Sequence, residues 1–181
     1  MGTDYTRFGL VVYSTEAVVQ FHLNRYGGEL GYSGGETRSR EDMLQYITHD
    51  VQYTPRGERD VARLLRRIRT QMFTGAAGDR TFDLNILVLV TAGLSIAGQA
   101  KTISEAVLVK QEGIHVITVG VGLSGQTQEV DAMASTPADI NRYLIVDFTE
   151  LDIIIPKLIA HICRGTKPFS LYHPLSYCFR Y

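Results

Sequence analysis

The sequence predicts an α/β fold with a mostly parallel sheet preceded by an antiparallel edge hairpin. Three observations carry that prediction. The segment LNILVLVTAGLS (residues 84–95) is a near-continuous apolar run bounded by turn residues, the pattern of a strand buried on both faces of a parallel sheet. IHVITVGVG (residues 114–122) and YLIVDF (residues 143–148) repeat it. Helical patterns alternate with these runs from residue 84 onward, which calls for right-handed crossovers between parallel strands.

In chain order, FGLVVY (residues 8–13) and VVQFHL (residues 18–23) are separated only by Ser14, Thr15 and Glu16, so they read as a hairpin. A polar, glycine-rich loop follows, then a short helix over 43–47. From Arg59 onward Val61, Leu64, Leu65, Ile68 and Met72 fall on one helix face, and Arg59, Arg63, Arg66, Arg67 and Arg69 fill the other. After the strand at 84–95, Thr102-Ile103-Ser104-Glu105 reads as a capping box opening a helix that stops at Gly113. A short helix around 126–134 leads to the strand at 143–148. The last helix starts at a second capping box, Thr149 to Asp152, and is expected to bury Leu151, Ile154, Ile155, Leu158, Ile159 and Ile162. Pro156 lies off that face, which predicts a kink rather than a break. The tail from Gly165 has no periodicity, giving a domain over 1–164 and an irregular extension over 165–181.

Composition narrows the function. The 181 residues, 45% of them hydrophobic, suffice for one domain with a sizeable core. Lys plus Arg number 18 and Asp plus Glu 19, a formal net charge of -1, so no global field favours nucleic acid or anionic membrane. No apolar run is long enough to span a bilayer, so no membrane insertion is expected. The amino terminus lacks the layout of a signal peptide. A loose myristoylation pattern at Gly2 and Thr6 is set aside, because Tyr5 and Phe8 read as the approach to a strand. The arginine stripe at Arg59, Arg63, Arg66 and Arg67 could bind heparin-like polyanions; no aromatic residues interleave to stack bases, and a solvated helix face is the expected reading. Cys163 and Cys178 have no zinc-like spacing; two unrelated thiols and a disulfide both fit.

Gly120, Gly122 and Gly125 form a GxGxxG after a strand and before a helix, with Asp147 at the end of the next strand where a ribose-binding acid would sit. In a dinucleotide fold this fingerprint belongs to the first βα turn, yet here one strand remains after it, so a glycine-rich turn is the expected reading. The five histidines, His22, His49, His115, His161 and His173, are scattered, and His22 and His115 sit in apolar strand patterns as structural residues. There is no GxSxG and no pair of acids at a strand end, which argues against an enzyme.

Taken together, TRFGLVVYSTEAVVQFHL, YTPRGERDVARLL, FDLNILVLVTAGLS, GIHVITVGVG, EVDAMAS and LIVDFTELDIIIPKLIAHIC resemble, in that order, a von Willebrand factor type A (VWA) domain over residues 5 to 164. The similarity is to extracellular-matrix members such as the collagens (type VI especially), matrilins and cochlin. It implies a three-layer, Rossmann-like fold, incomplete at the N-terminus because the chain begins at the family's second strand. It also implies that the chain alone is marginal or aggregation-prone without upstream sequence or a partner's strand. A cysteine closing the last helix commonly pairs in the family with one ahead of the first strand, a residue this chain does not show, so Cys163 would be free or paired with Cys178.

Metal-binding members of the family use a DxSxS loop, a threonine before the second long helix and an aspartate in a TDG-type turn. Here Ala92 stands at the aspartate position, Glu58 and Asp60 replace the two threonines of GGxTxTGxAL, and no DxSxS is present. The resemblance therefore implies a secreted, matrix-located, metal-independent and cofactor-free interaction module, part of a longer chain, with matrix proteins such as collagens as partners. Glu58, Asp60, Thr91 and Ser95 mark the corresponding contact surface; an adhesion domain with a rebuilt cation site is the remaining alternative.

Overall fold

The computed structural model of the chain describes residues 6–26, 40–53, 57–123, 125 and 127–165. The chain divides into two compact units, Met1–Asp83 with Ser95–Val109, and Leu84–Leu94 with Lys110–Tyr181.

In the first unit, β1 (Leu10–Tyr13) and β2 (Ala17–Phe21) form the expected antiparallel hairpin, with Val11 opposite Val19 and Tyr13 opposite Ala17. Valine-rich strands favour this pleated pairing, and the Ser14 N–H closes the turn onto the Glu16 carbonyl at 2.9 Å. Helix α1 (Arg40–Gln45) begins ahead of the expected span and continues as a wide turn over Tyr46–Asp50. It buries no residue, so no packed face sets its limits. Helix α2 (Val61–Arg67) runs on into a wide turn, Ile68–Met72. Its buried positions are Val61, Ala62, Leu64, Leu65, Ile68 and Met72, the face that the apolar spacing selects. Burying each large aliphatic side chain contributes roughly 1.5–3 kcal/mol.

Helix α3 (Gln99–Gln111) starts three residues before the expected capping box. Thr102 lies inside it and donates its hydroxyl to the Gly98 carbonyl at 3.3 Å. Glu105 does not reach back to the helix start; it accepts from the Arg66 guanidinium at 2.7 and 2.9 Å. A charge-assisted, two-pronged bond to a buried carboxylate outweighs a local cap. The helix ends at Gln111, and the turn that stops it contains Gly113 as expected, whose φ of 81° suits glycine.

The second unit holds a parallel sheet of β3 (Ile86–Thr91), β4 (His115–Val121) and β5 (Arg142–Ile145), in the order β3-β4-β5. Every residue of β4 after His115 is buried. In β3, Leu87, Leu89 and Thr91 are buried but Val90 is 41% exposed, so the strand expected to be buried on both faces has one buried face. Among the described residues it stands at the end of its sheet, which explains the difference. Helix α4 (Gln128–Met133) falls where expected, and a further short helix, α5 (Ala138–Asn141), leads directly into β5.

Strand β5 stops at Ile145 because the Val146 N–H turns to the Glu150 carboxylate at 2.8 Å. Asp147, rather than Thr149, caps the turn Phe148–Glu150, accepting the Thr149 N–H at 2.7 Å. Helix α6 (Leu151–Gly165) then passes through Pro156. Pro156 and Asp152, whose carbonyl loses its helical partner there, are both exposed, so water can take up the missing bond. Ile154 is buried and Leu151, Leu158, Ile159 and Ile162 are half-buried, but Ile155 is 41% exposed. The apolar face of α6 is therefore narrower than expected, and Ile154 packs with Val119, Val121 and Ile145 in the core of this unit.

Gly78 generates the first test. Its φ is 95°, and an added Cβ would lie 2.6 Å from Asn24 Cβ and 2.7 Å from Asn24 N. Left-handed strain and the backbone clash together should make Gly78→Ala about 2–4 kcal/mol less stable. Urea unfolding measures this; a loss below about 0.5 kcal/mol would show that the turn has room to relax.

Candidate functional site at the strand ends

Of the residues expected to carry ligand chemistry, Thr91, Asp60 and Ser95 each make a side-chain hydrogen bond, and Glu58 does so only through its backbone. In the second unit, Thr91 is buried and donates its hydroxyl to the Gly93 carbonyl at 2.8 Å. Ala92 beside it is exposed and carries only a methyl group. In the first unit, Asp60 Oδ1 accepts the Arg63 N–H at 2.8 Å and so caps α2. Ser95 Oγ accepts the N–H of Val61 at 3.1 Å and that of Ala97 at 3.3 Å. Ser95 is thus a second cap for α2, supplied from 34 residues along the chain; the orphan N–H at the helix start was the only sequence signal that could have suggested it. The Glu58 side chain is exposed, while its carbonyl accepts the Thr15 hydroxyl at 3.2 Å.

A hard divalent cation needs about six oxygen ligands. Among the described residues no three His, Cys, Asp or Glu side chains come together in a group that could hold a metal ion. In the second unit the family's aspartate position carries a methyl at Ala92, and in the first unit Asp60 and Ser95 cap α2.

The arginine stripe is largely paired. Arg63 bonds Glu16 and lies 3.6 Å from Asp60. Arg66 and Arg69 lie 2.7 and 3.7 Å from the buried Glu105 carboxylate. Arg67 donates to the Ala17 carbonyl at 3.1 Å and to Gln71 at 2.8 Å. Arg59 is exposed.

The glycine motif serves packing. A Cβ on Gly120 would meet Leu144 at 2.9 Å and Leu123 at 3.1 Å, so the space beside it belongs to apolar side chains, not to a phosphate. Gly122 and Gly125 have φ of 68° and 79°, as a turn requires, and the Gly122 N–H bonds the Ile145 carbonyl at 2.9 Å. Asp147, the candidate ribose ligand, is turned to the Thr149 hydroxyl and N–H, which hold its carboxyl below the usual aspartate range. His115 bonds Asn141 Oδ1 at 2.6 Å, whereas Nδ1 of His22 is buried without a hydrogen-bond partner among the described residues. Cys163 is buried and is not a free thiol; Cys178 lies outside the described residues.

Parallel strands joined through helices define a Rossmann-like α/β module. Within that class, residues 1–157 match the von Willebrand factor type A domain, and the chain belongs to this family. It is 29% identical over 164 residues to the collagen alpha-1(XX) chain of Mus musculus, covering 91% of this chain and 11% of that one. It is 28% identical over 158 residues to matrilin-4 of Mus musculus, covering 87% and 23%. A solved structure of proximal thread matrix protein 1 from the mussel byssus, with a zinc-occupied MIDAS motif, superposes with a TM-score of 0.76 at 27% identity, over 90% of this chain and 38% of that one. The chain thus spans only a fraction of the length of each of these relatives.

Two tests follow from these contacts. The bonds to the ionised Asp147 favour its charged form, so their stabilising contribution is present above the ordinary aspartate pKa of about 3.9 and is lost as pH falls through the lower folded value. Thermal melts across this acid range should show the Asp147→Asn variant losing less stability on acidification than the parent chain. For the arginines, retention on heparin should end by roughly 0.15 M salt, where exposed charges are screened beyond about 8 Å. Elution well above that salt, reduced in an Arg63→Ala, Arg66→Ala double variant, would instead mark a polyanion site.

Proposed function

We propose that the chain is a non-enzymatic interaction or structural module of the extracellular matrix that engages protein partners, such as collagens, without a divalent cation. The observation that carries this reading is the turn after β3, where Ala92 offers no side-chain oxygen at the family's aspartate position. Ser95 supports it from the first unit, because its oxygen accepts the N–H groups of both Val61 and Ala97 and so uses its two lone pairs. The likeness to collagen and matrilin chains supports the matrix location and the class of partner. Exposed Glu58 and Arg59 lie on a segment pinned by Thr15 and by the Ile96 N–H, which meets the Arg59 carbonyl at 2.9 Å. A pre-ordered polar loop of this kind binds with little loss of chain entropy, so we place the contact surface of the first unit there.

The test is surface binding to immobilised fibrillar collagen in excess EDTA and in millimolar Mg²⁺. The same affinity is expected in both, with weaker binding by Glu58→Ala, and Mg²⁺ should leave the melting temperature unchanged because a ligand stabilises only if it binds the native state. Binding that disappears in EDTA, or a Mg²⁺-dependent rise in melting temperature lost in Glu58→Ala, would overturn the metal-independent reading. Absence of binding in both buffers would overturn the choice of partner.

A further inference from the structure

We propose that residues 166–181 fold back onto the second unit, with Cys178 bonded to Cys163 and the Phe169 ring filling a cavity between β3, β4 and α6. The chain has two cysteines. Cys163 is buried near the end of α6 and is disulfide-bonded, so within one chain Cys178 is its partner. That bond joins the two Sγ atoms and releases two protons and two electrons, which pass to a disulfide oxidant that leaves as two thiols. A buried sulfur is reached only by a segment that comes in to it, with the two Cα atoms about 4.4–6.8 Å apart across the bond. The segment after α6 is therefore held to the helix end twice, at Gly165 and at Cys178.

The cavity lies where that segment starts. It holds about 170 Å³, and its walls are Leu84, Ile86, Ile117 and Ile162 with the rings of His115 and His161. An aliphatic cavity of about 150 Å³ stays dry and takes one benzene ring, so size and lining both suit a single aromatic side chain. Leu84 is exposed at its rim, which leaves apolar surface for a covering side chain to remove from water. Ile162 and Gly165 are one helical turn apart, roughly 5 Å along the axis, so the chain leaves α6 beside the cavity. Phe169 is the first aromatic residue beyond the helix and follows Gly165 by four residues, a reach of at most roughly 14 Å. Pro168 disfavours a helical Lys167, which turns the chain off the helix axis ahead of Phe169. Residues 166–181 contain no acidic residue and are rich in aromatic side chains, a composition suited to packing rather than to a solvated tail.

The test uses the full chain under oxidising conditions. Peptide mapping after alkylation without reductant should recover Cys163 joined to Cys178 within a monomer. With isoleucine methyl groups labelled for NMR, Ile86, Ile117 and Ile162 should show nuclear Overhauser contacts to the Phe169 ring. The ring current that displaces those methyl signals should be lost in Phe169→Leu, while the disulfide persists. The Overhauser contacts need no variant and decide the matter should that substitution unfold the chain. Two alkylated cysteines, Cys163 joined to a second copy of the chain, or methyl contacts to another ring or to none would overturn the proposal.

Discussion

The second unit depends on the burial of β4. From Val116 to Val121 every residue is buried, and both neighbouring strands pair with it in parallel. Such a strand must have its polar groups met from within. Thr118 donates its hydroxyl to the Val130 carbonyl, and Val116 exchanges two bonds with Ser135, its N–H going to the serine hydroxyl and its carbonyl accepting the Ser135 N–H. These bonds tie α4 and the segment after it to the strand. Because the register aligns Thr91 with Gly120 and Val121 with Ile145, the turns after all three strands emerge at one end of the sheet. Lys110 adds a further tie, its ammonium donating to the Ala132 and Ala134 carbonyls at the end of α4, while burial lowers its pKa.

The first unit is organised by α2 and by charge. Its apolar face is buried, and its arginines reach outward to Glu16, Glu105 and the Ala17 carbonyl, joining the helix to the hairpin and to α3. A buried carboxylate such as Glu105 is costly unless paired, so Arg66 and Arg69 are needed where they are. A row of cations that looks in sequence like a polyanion surface is thus in good part the scaffold of the unit.

The same principle governs the turns that bind metal in other members of the family. Thr91, Asp60 and Ser95 each have an oxygen that could coordinate a cation, and each uses it in a hydrogen bond that closes a turn or caps a helix. In the first unit the segment ahead of α2 is held by the Thr15 hydroxyl and leaves the side chains of Glu58 and Arg59 exposed.

The sequence by itself determined the order of strands and helices, the buried face of α2, the hairpin and the stop at Gly113, because each follows from apolar spacing or from the conformational freedom of one residue. It also determined that Ala92 has no oxygen to offer. Neither expected capping box forms: Glu105 turns to Arg66 on another helix, and Asp147 rather than Thr149 caps the turn at Phe148–Glu150, because a side chain's choice of partner depends on which is nearer in space. The role of Ser95 at the start of α2, the outward turn of Ile155 and the meeting of His115 with His161 were likewise decided by tertiary structure alone. These contacts join positions 34 and 46 residues apart, or rest on a narrow apolar face whose width only packing can set, and local pattern has no means of ranking such partners.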